Sequence, residues 1–243
     1  MTWRGIDVSE WQGEINFTKV KRAGIDCVIV RYADGAYLDK YFGSNMYECD
    51  KNNLHFGAYI YSRAINEAQA REEAQAIIKA CKRYNYDMPL YIDMEAPELS
   101  GIANKIIDAF LSECDKAGVK GGIYANLNWF NNYIDFEKYK NRPLWIAQYN
   151  EYLTHKQKEY FGMWQYTGRG SCAGIIGNVD LNHVYINYWD NSIKKEYPDN
   201  IKIMAVDVLL DKYGSGEERK KALGSNYEEV QNLVNEIIER LNE

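Results

Sequence analysis

Short apolar runs recur along most of the chain, and between many of them the apolar positions repeat at helical spacing. The runs at 6–8, 27–31, 56–61, 90–95, 121–125, 143–149, 162–166 and 178–181 predict strands. Cys27-Val28-Ile29-Val30 is apolar throughout and largely β-branched, as a strand buried on both faces of a parallel sheet requires. Helices are predicted over 17–23, 39–53, 66–84 and 100–117, with Asn66 and Ser100 as N-caps and Gly24 and Gly118 as stops. Eight strands alternating with helices predict a parallel barrel of (β/α) type. The later runs are separated by weak helical patterns, so the barrel is expected to be irregular there.

The pattern changes after residue 187. Residues 187–200 are polar and contain Pro198. Beyond them three helical segments follow, at 203–212, 217–223 and 227–241. In the last, Tyr227, Val230, Val234, Ile237 and Leu241 share one face. The division predicted is a barrel domain over 1–190, a linker over 191–202 and a small three-helix module over 203–243. The module holds 5 Lys or Arg against 9 Asp or Glu, and its core is thin for an independent unit.

Composition narrows the partners. Hydrophobic residues make up 46%, enough for a packed core. A net charge of −6 without a basic run argues against nucleic acid. Five widely spaced cysteines without a C-x-x-C pair predict free thiols and a reducing compartment. Residues 1–7 lack the apolar stretch of a signal peptide, and no run approaches the length of a membrane span. Tyrosine stands out at 21 residues, with 6 Trp, and aromatics of this kind line carbohydrate grooves as well as cores.

The chemistry gathers at the expected carboxyl ends of the strands, where (β/α) barrels place their sites. Asp93 and Glu95 stand two apart on one strand and face one way, about 6.6 Å apart along the backbone. Two neighbouring carboxyls resist joint ionisation, which supplies an acid and a base from one segment. Asp7 and Asp180 fall at equivalent strand ends, as do Tyr59, Tyr61, Tyr124, Trp145, Gln148, Trp164 and Gln165. His55, His155 and His183 have no metal-ligand spacing, and neither a nucleophile elbow nor a phosphate loop occurs, so no metal and no cofactor is expected. Glycoside hydrolysis needs two carboxylates across a groove with aromatic platforms, and this set meets that demand.

The same residues carry a resemblance. Asp7-Val8-Ser9-x-Trp11-Gln12-Gly13, Asp93-x-Glu95, Trp145-x-Ala147-x-Tyr149, Trp164-Gln165-Tyr166-Thr167 and Gly174-Ile175-x-Gly177-x-Val179-Asp180-x-Asn182 resemble the family 25 glycoside hydrolases, the Chalaropsis-type lysozymes common as phage endolysins. The resemblance implies a flattened, irregular (β/α) barrel. It implies an N-acetylmuramidase cutting the β-1,4 bond between N-acetylmuramic acid and N-acetylglucosamine. It gives Glu95 the role of general acid and Asp93 that of the neighbouring acid, with Asp7 and Asp180 as further acids of the groove. Where the family often has Lys-Ala-Thr-Glu-Gly, this chain has Arg31-Tyr32-Ala33-Asp34-Gly35, which keeps the charges and places Arg31 among the expected substrate contacts. A nucleophilic Asp93 requires carboxyls about 5–5.5 Å apart and inversion roughly 6.5–9.5 Å, and the sequence leaves both open beside attack by the substrate's own acetamido oxygen.

Residues 207–223, with Tyr227 and Val230-Gln231 after them, resemble the short cell-wall-binding repeat of certain pneumococcal phage lysozymes. That implies peptidoglycan binding through a stretch holding Asp211, Tyr213, Gly214, Gly216 and Arg219. Met204 opens the module, so internal initiation there and self-association through the module are expected possibilities. The implied setting is a phage lysin held in the host cytoplasm until it is released to the cell wall. The rivals are a non-catalytic peptidoglycan-binding barrel and a chitinase-like hydrolase; intact Asp93 and Glu95 oppose the first, and the missing longer acidic strand signature opposes the second.

Overall fold

The computed structural model describes residues 2–189 and 199–241. It divides into two compact units, residues 1–189 and 190–243.

The first unit carries nine strands: β1 Trp3–Val8, β2 Cys27–Asp34, β3 Tyr37–Leu38, β4 His55–Tyr61, β5 Leu90–Asp93, β6 Gly121–Asn126, β7 Leu144–Ala147, β8 Met163–Gly170 and β9 Val179–Val184. Eight of them close a barrel in the order β1-β2-β4-β5-β6-β7-β8-β9 and back to β1, while β3 folds back on β2 as a short hairpin. From β1 to β8 neighbouring barrel strands are parallel. The expectation of an all-parallel ring fails at β9, which is antiparallel to both β1 and β8. Asp180 therefore lies near the start of its strand rather than at its carboxyl end. It reaches the same rim because the strand runs the other way.

Helices α1 Phe17–Arg22, α2 Phe42–Lys51, α3 Glu67–Cys81, α4 Ala103–Lys116, α5 Leu127–Asn132 and α6 Phe136–Tyr139 cover the barrel as far as β7. Between β7 and β8 the only helical piece is a 3-10 turn, Lys158–Tyr160. Strand alternation sorts the apolar residues into two layers. Ile6, Val28, Val30, Ile60, Ile92 and Ile146 pack outward against Ile77, Ile106 and Phe110 of the helices. Cys27, Ile29, Tyr91, Trp145, Met163 and Val184 fill the barrel interior. All five cysteines are free, and four of them are buried.

Two predicted helix starts of the first unit move. Helix α2 begins at Phe42 rather than at residue 39, because Asp39 accepts hydrogen bonds from the Glu10 and Tyr41 amides and from Arg31. Ser100 closes a 3-10 turn over Pro97–Leu99 and does not cap α4, which begins at Ala103. Asn66 does cap α3, its side chain accepting from the Gln69 amide at 3.0 Å. Asn66→Ala is expected to cost about 1 kcal/mol of stability, read as a lower denaturant midpoint with an unchanged slope.

In the second unit α7 Asp199–Leu209, α8 Gly216–Leu223 and α9 Tyr227–Leu241 pack on Ile201, Ala205, Val208, Leu223, Val230 and Val234. Residues 199–202, expected as linker, form the first turn of α7; residues 191–198 of that linker and the side chain of Leu241 lie outside the described residues. The turn between α7 and α8 places Asp211, Gly214 and Gly216 at φ of 59°, 61° and 56°. Glycine holds two of these left-handed positions at no steric cost.

Candidate active site

The site follows from alternation on each strand. Asp7 shares the inner face of β1 with Trp3 and Gly5, and Asp93 shares that of β5 with Tyr91. After Asp7, the Ser9 hydroxyl and the Gln12 side chain cap the turn Glu10–Gln12 reciprocally and turn the chain across the rim. Glu95 follows β5 by two residues, still half-buried. Asp180 is the direct cross-strand partner of Asp7. The four predicted acids thus converge on one mouth.

Asp7 lies at the centre of a hydrogen-bond network. Its Oδ2 accepts from Gln165 Nε2 at 3.0 Å and from Asn182 Nδ2 at 2.8 Å. Gln165 Oε1 in turn accepts from the Tyr124 hydroxyl at 3.0 Å and the Tyr149 hydroxyl at 2.9 Å. Asn182 Oδ1 accepts from the Trp145 indole at 2.8 Å. Glu95 Oε1 accepts from Asn126 Nδ2 at 2.7 Å. Asp93 is 4% exposed, and its Oδ1 is buried with no hydrogen-bond partner. Such an orphan acceptor is costly in a fold and points to a ligand group that satisfies it.

Burial is the largest cause that raises all four carboxyls above their ordinary range. The charges add to it: Asp180 raises Asp7, Glu95 and Asp7 raise Asp93, and Asp180 raises Glu95. Opposing effects are the Arg31 charge on Asp93 and the Asn126 hydrogen bond on Glu95. The tyrosines of the wall, Tyr59 and Tyr124, are raised well above theirs by burial and by the same acids. Among the described residues no group of three or more His, Cys, Asp or Glu side chains is placed to hold a metal ion.

Several predicted contacts need correction. Trp145 is 1% exposed, packed between Tyr91, Tyr124 and Tyr59 inside the barrel, and has no free face for a sugar. Trp164 points to the other side of β8, against Tyr166 and His183, with its indole donating to the Gln148 carbonyl. The Gln148 amide is spent on Thr154, bracing the loop after β7. Arg31 is 8% exposed and pairs with Asp39 at 2.8 Å and Glu10 at 2.9 Å, so it is a fixed charge under the rim rather than a free contact. Tyr61 flanks Asp93, with the Arg63 guanidinium 4.4 Å above its ring and paired to Asp34. In the second unit Arg219 turns inward: Nε and one terminal nitrogen donate to the Gly214 carbonyl at 2.9 and 2.7 Å, and the other reaches Gln231. Asp211, Gly214 and Gly216 shape that same turn, and Tyr213 packs on the module core.

Three site residues escaped the sequence reading: Asn126, Tyr149 and Asn182. Asn126 stands two positions beyond Tyr124 on β6, and same-face spacing could have found it. Tyr149, 64% exposed at the rim, and Asn182 both lay inside recognised motifs.

A closed (β/α) barrel with buried acids gathered beside tyrosines at one mouth is the architecture of a glycoside hydrolase. Residues 6–175 match the glycosyl hydrolases family 25 model, and the chain belongs to that family. Residues 203–238 match the CW_7 repeat. The autolytic lysozyme of Clostridium acetobutylicum is 26% identical over 90% of this chain, which spans 63% of that protein. The modular autolysin LytC of Streptococcus pneumoniae, determined with a synthetic peptidoglycan ligand, superposes with a TM-score of 0.69 at 27% identity, over 76% of this chain and 47% of LytC. A bacterial lysozyme from Streptomyces coelicolor superposes with a TM-score of 0.65 at 25% identity, over 76% of this chain and 93% of that one.

Proposed function

We propose that the chain is a lysozyme-type endolysin, an N-acetylmuramidase that cuts the β-1,4 bond between N-acetylmuramic acid and N-acetylglucosamine in bacterial peptidoglycan. The observation that carries this reading is the pair at the end of β5: Glu95, half-buried and raised toward its protonated form, beside Asp93 with an unpaired buried oxygen. Glu95 Oε1 is held by Asn126, which leaves Oε2 to carry the proton given to the leaving oxygen. Asp93 Oδ1 accepts the N–H of the substrate's acetamido group and braces it, so that the acetamido oxygen attacks the anomeric carbon. Tyr59, Tyr61, Tyr124 and Tyr149 line the groove, and the C-terminal repeat holds the enzyme on the wall.

Purified cell wall digested with the full chain should yield new reducing sugar ends. New amino termini instead would assign an amidase or peptidase, and neither product would assign a binder. Removal of residues 199–243 should lower the fraction of protein that pellets with cell wall at least several-fold; unchanged pelleting would remove the wall-binding role.

A further inference from the structure

Asp7 and Asp180 are direct partners across an antiparallel strand pair, and like charges so placed repel unless one of them is neutral. The hydrogen bonds around Asp7 fix where a proton can sit. The Trp145 indole can only donate, so Asn182 must turn its oxygen to Trp145 and its N–H to Asp7. Gln165 is oriented the same way, its oxygen accepting from two tyrosine hydroxyls and its N–H donating to Asp7. Both of these N–H groups converge on one atom, Asp7 Oδ2. With both lone pairs taken, Oδ2 acts as the carbonyl oxygen of a carboxylic acid, and Oδ1 is the atom free to bear hydrogen.

We infer that Asp7 and Asp180 form a one-proton pair in which Asp7 Oδ1–H donates to an ionised Asp180, and that Gln165 and Asn182, oriented by Tyr124, Tyr149 and Trp145, are the positioning residues that fix this direction. The pair's role rests on the glycosidase reading. Asp180 keeps a negative charge in the groove, close to where positive charge develops on the sugar. The raised positions of both carboxyls agree with this arrangement. The other ionisable groups facing the pair are Asp93 from β5, Glu95 after it, Arg31 from β2, Tyr59 from β4, Tyr124 from β6 and Tyr149 after β7. Arg31 is the cation among these, and its guanidinium is paired with Asp39 and Glu10. Gly168 leaves the space beside the pair open, since a Cβ there would lie 3.0 Å from Asp180 Oδ1 and 3.1 Å from the Tyr149 hydroxyl.

The test compares two amide variants of the full chain on purified peptidoglycan. In Asp7→Asn the amide oxygen replaces Oδ2 and the NH2 replaces the donating Oδ1–H, so kcat/KM should fall by less than about tenfold. Asp180→Asn removes the charge, and kcat/KM should fall by about 100-fold or more. Equal losses, or the reverse order, would overturn the inference. A second readout needs no turnover: titration of carbon-labelled aspartate carboxyls by NMR. One carboxyl of the pair should stay protonated above the ordinary carboxylate range. Tyr124→Phe/Tyr149→Phe should move that step upward by about one pH unit, because an unpinned Gln165 no longer donates to Asp7. Ionisation of both Asp7 and Asp180 in the ordinary range, or a step unmoved in the double variant, would reject the pair. Absence of reducing ends with the unmodified chain would reject the glycosidase reading and leave the NMR result to decide the pair by itself.

Discussion

Glu95→Gln should lower kcat on purified cell wall by about 10²–10⁴-fold while leaving the protein folded. A glutamine keeps an oxygen for the Asn126 amide but has no proton to give a leaving alkoxide. The pH dependence follows from the direction of the shift. Burial raises Glu95, so the protonated acid persists to higher pH than for a free glutamate, and activity should fall as pH rises through that raised value. The linked effect on stability has the opposite sense to a salt-bridged acid. A carboxyl raised by folding contributes stability fully below its unfolded pKa and loses it as pH climbs through the folded one. At neutral pH the glutamine variant should therefore melt at the wild-type temperature or slightly above it. Reducing-end release at a near-native rate would show that another group supplies the proton.

Gly122→Ala should be a damaging small change in the barrel wall. A Cβ at Gly122 would lie 2.6 Å from two ring carbons of Tyr91 and 2.7 Å from the Pro143 carbonyl oxygen. Tyr91 is fully buried in the barrel interior, edge-on to Trp145, so its ring cannot swing away without disturbing the indole that orients Asn182. The expected cost is about 3 kcal/mol, a fall in melting temperature of roughly 6–12 °C. A melting temperature within about 2 °C of wild type would mean that the wall yields there at little cost.

How much of this was legible in the sequence varied with the range of the interaction. All eight barrel strands were read from short runs, most plainly β2 and β5, where burial on both faces leaves a local mark. The convergence of Asp7, Asp93 and Glu95 was legible for the same reason, a strand's end being a local property, whereas Asp180 joins them from the start of a reversed strand. The direction of β9 was not, since a short run reads the same for either orientation and only its neighbours decide it. Trp145 was misplaced because an aromatic near a strand end is equally suited to the lumen and the rim. Its position as second residue of a four-residue strand sends it inward and down. Arg31 illustrates the remaining difficulty. Its partners Glu10 and Asp39 come from separate loops, and no pattern around residue 31 encodes them. Ser100 missed its predicted cap because Pro97 starts a 3-10 turn that delays α4.

The reversed last strand also sets the order in which the barrel is completed. Asn182 and Asp7 are 175 positions apart, yet they bond across the seam where β9 joins β1. On the ribosome Glu95 and Asp93 emerge early, but β1 and β8 remain open edges until β9 arrives to pair with both. A chain halted before residue 179 would expose two sticky edges and lack half of its acid pair. The same seam brings Trp3 opposite Val184, so the barrel's two ends can be joined by a short linker and new ends opened in a surface loop elsewhere.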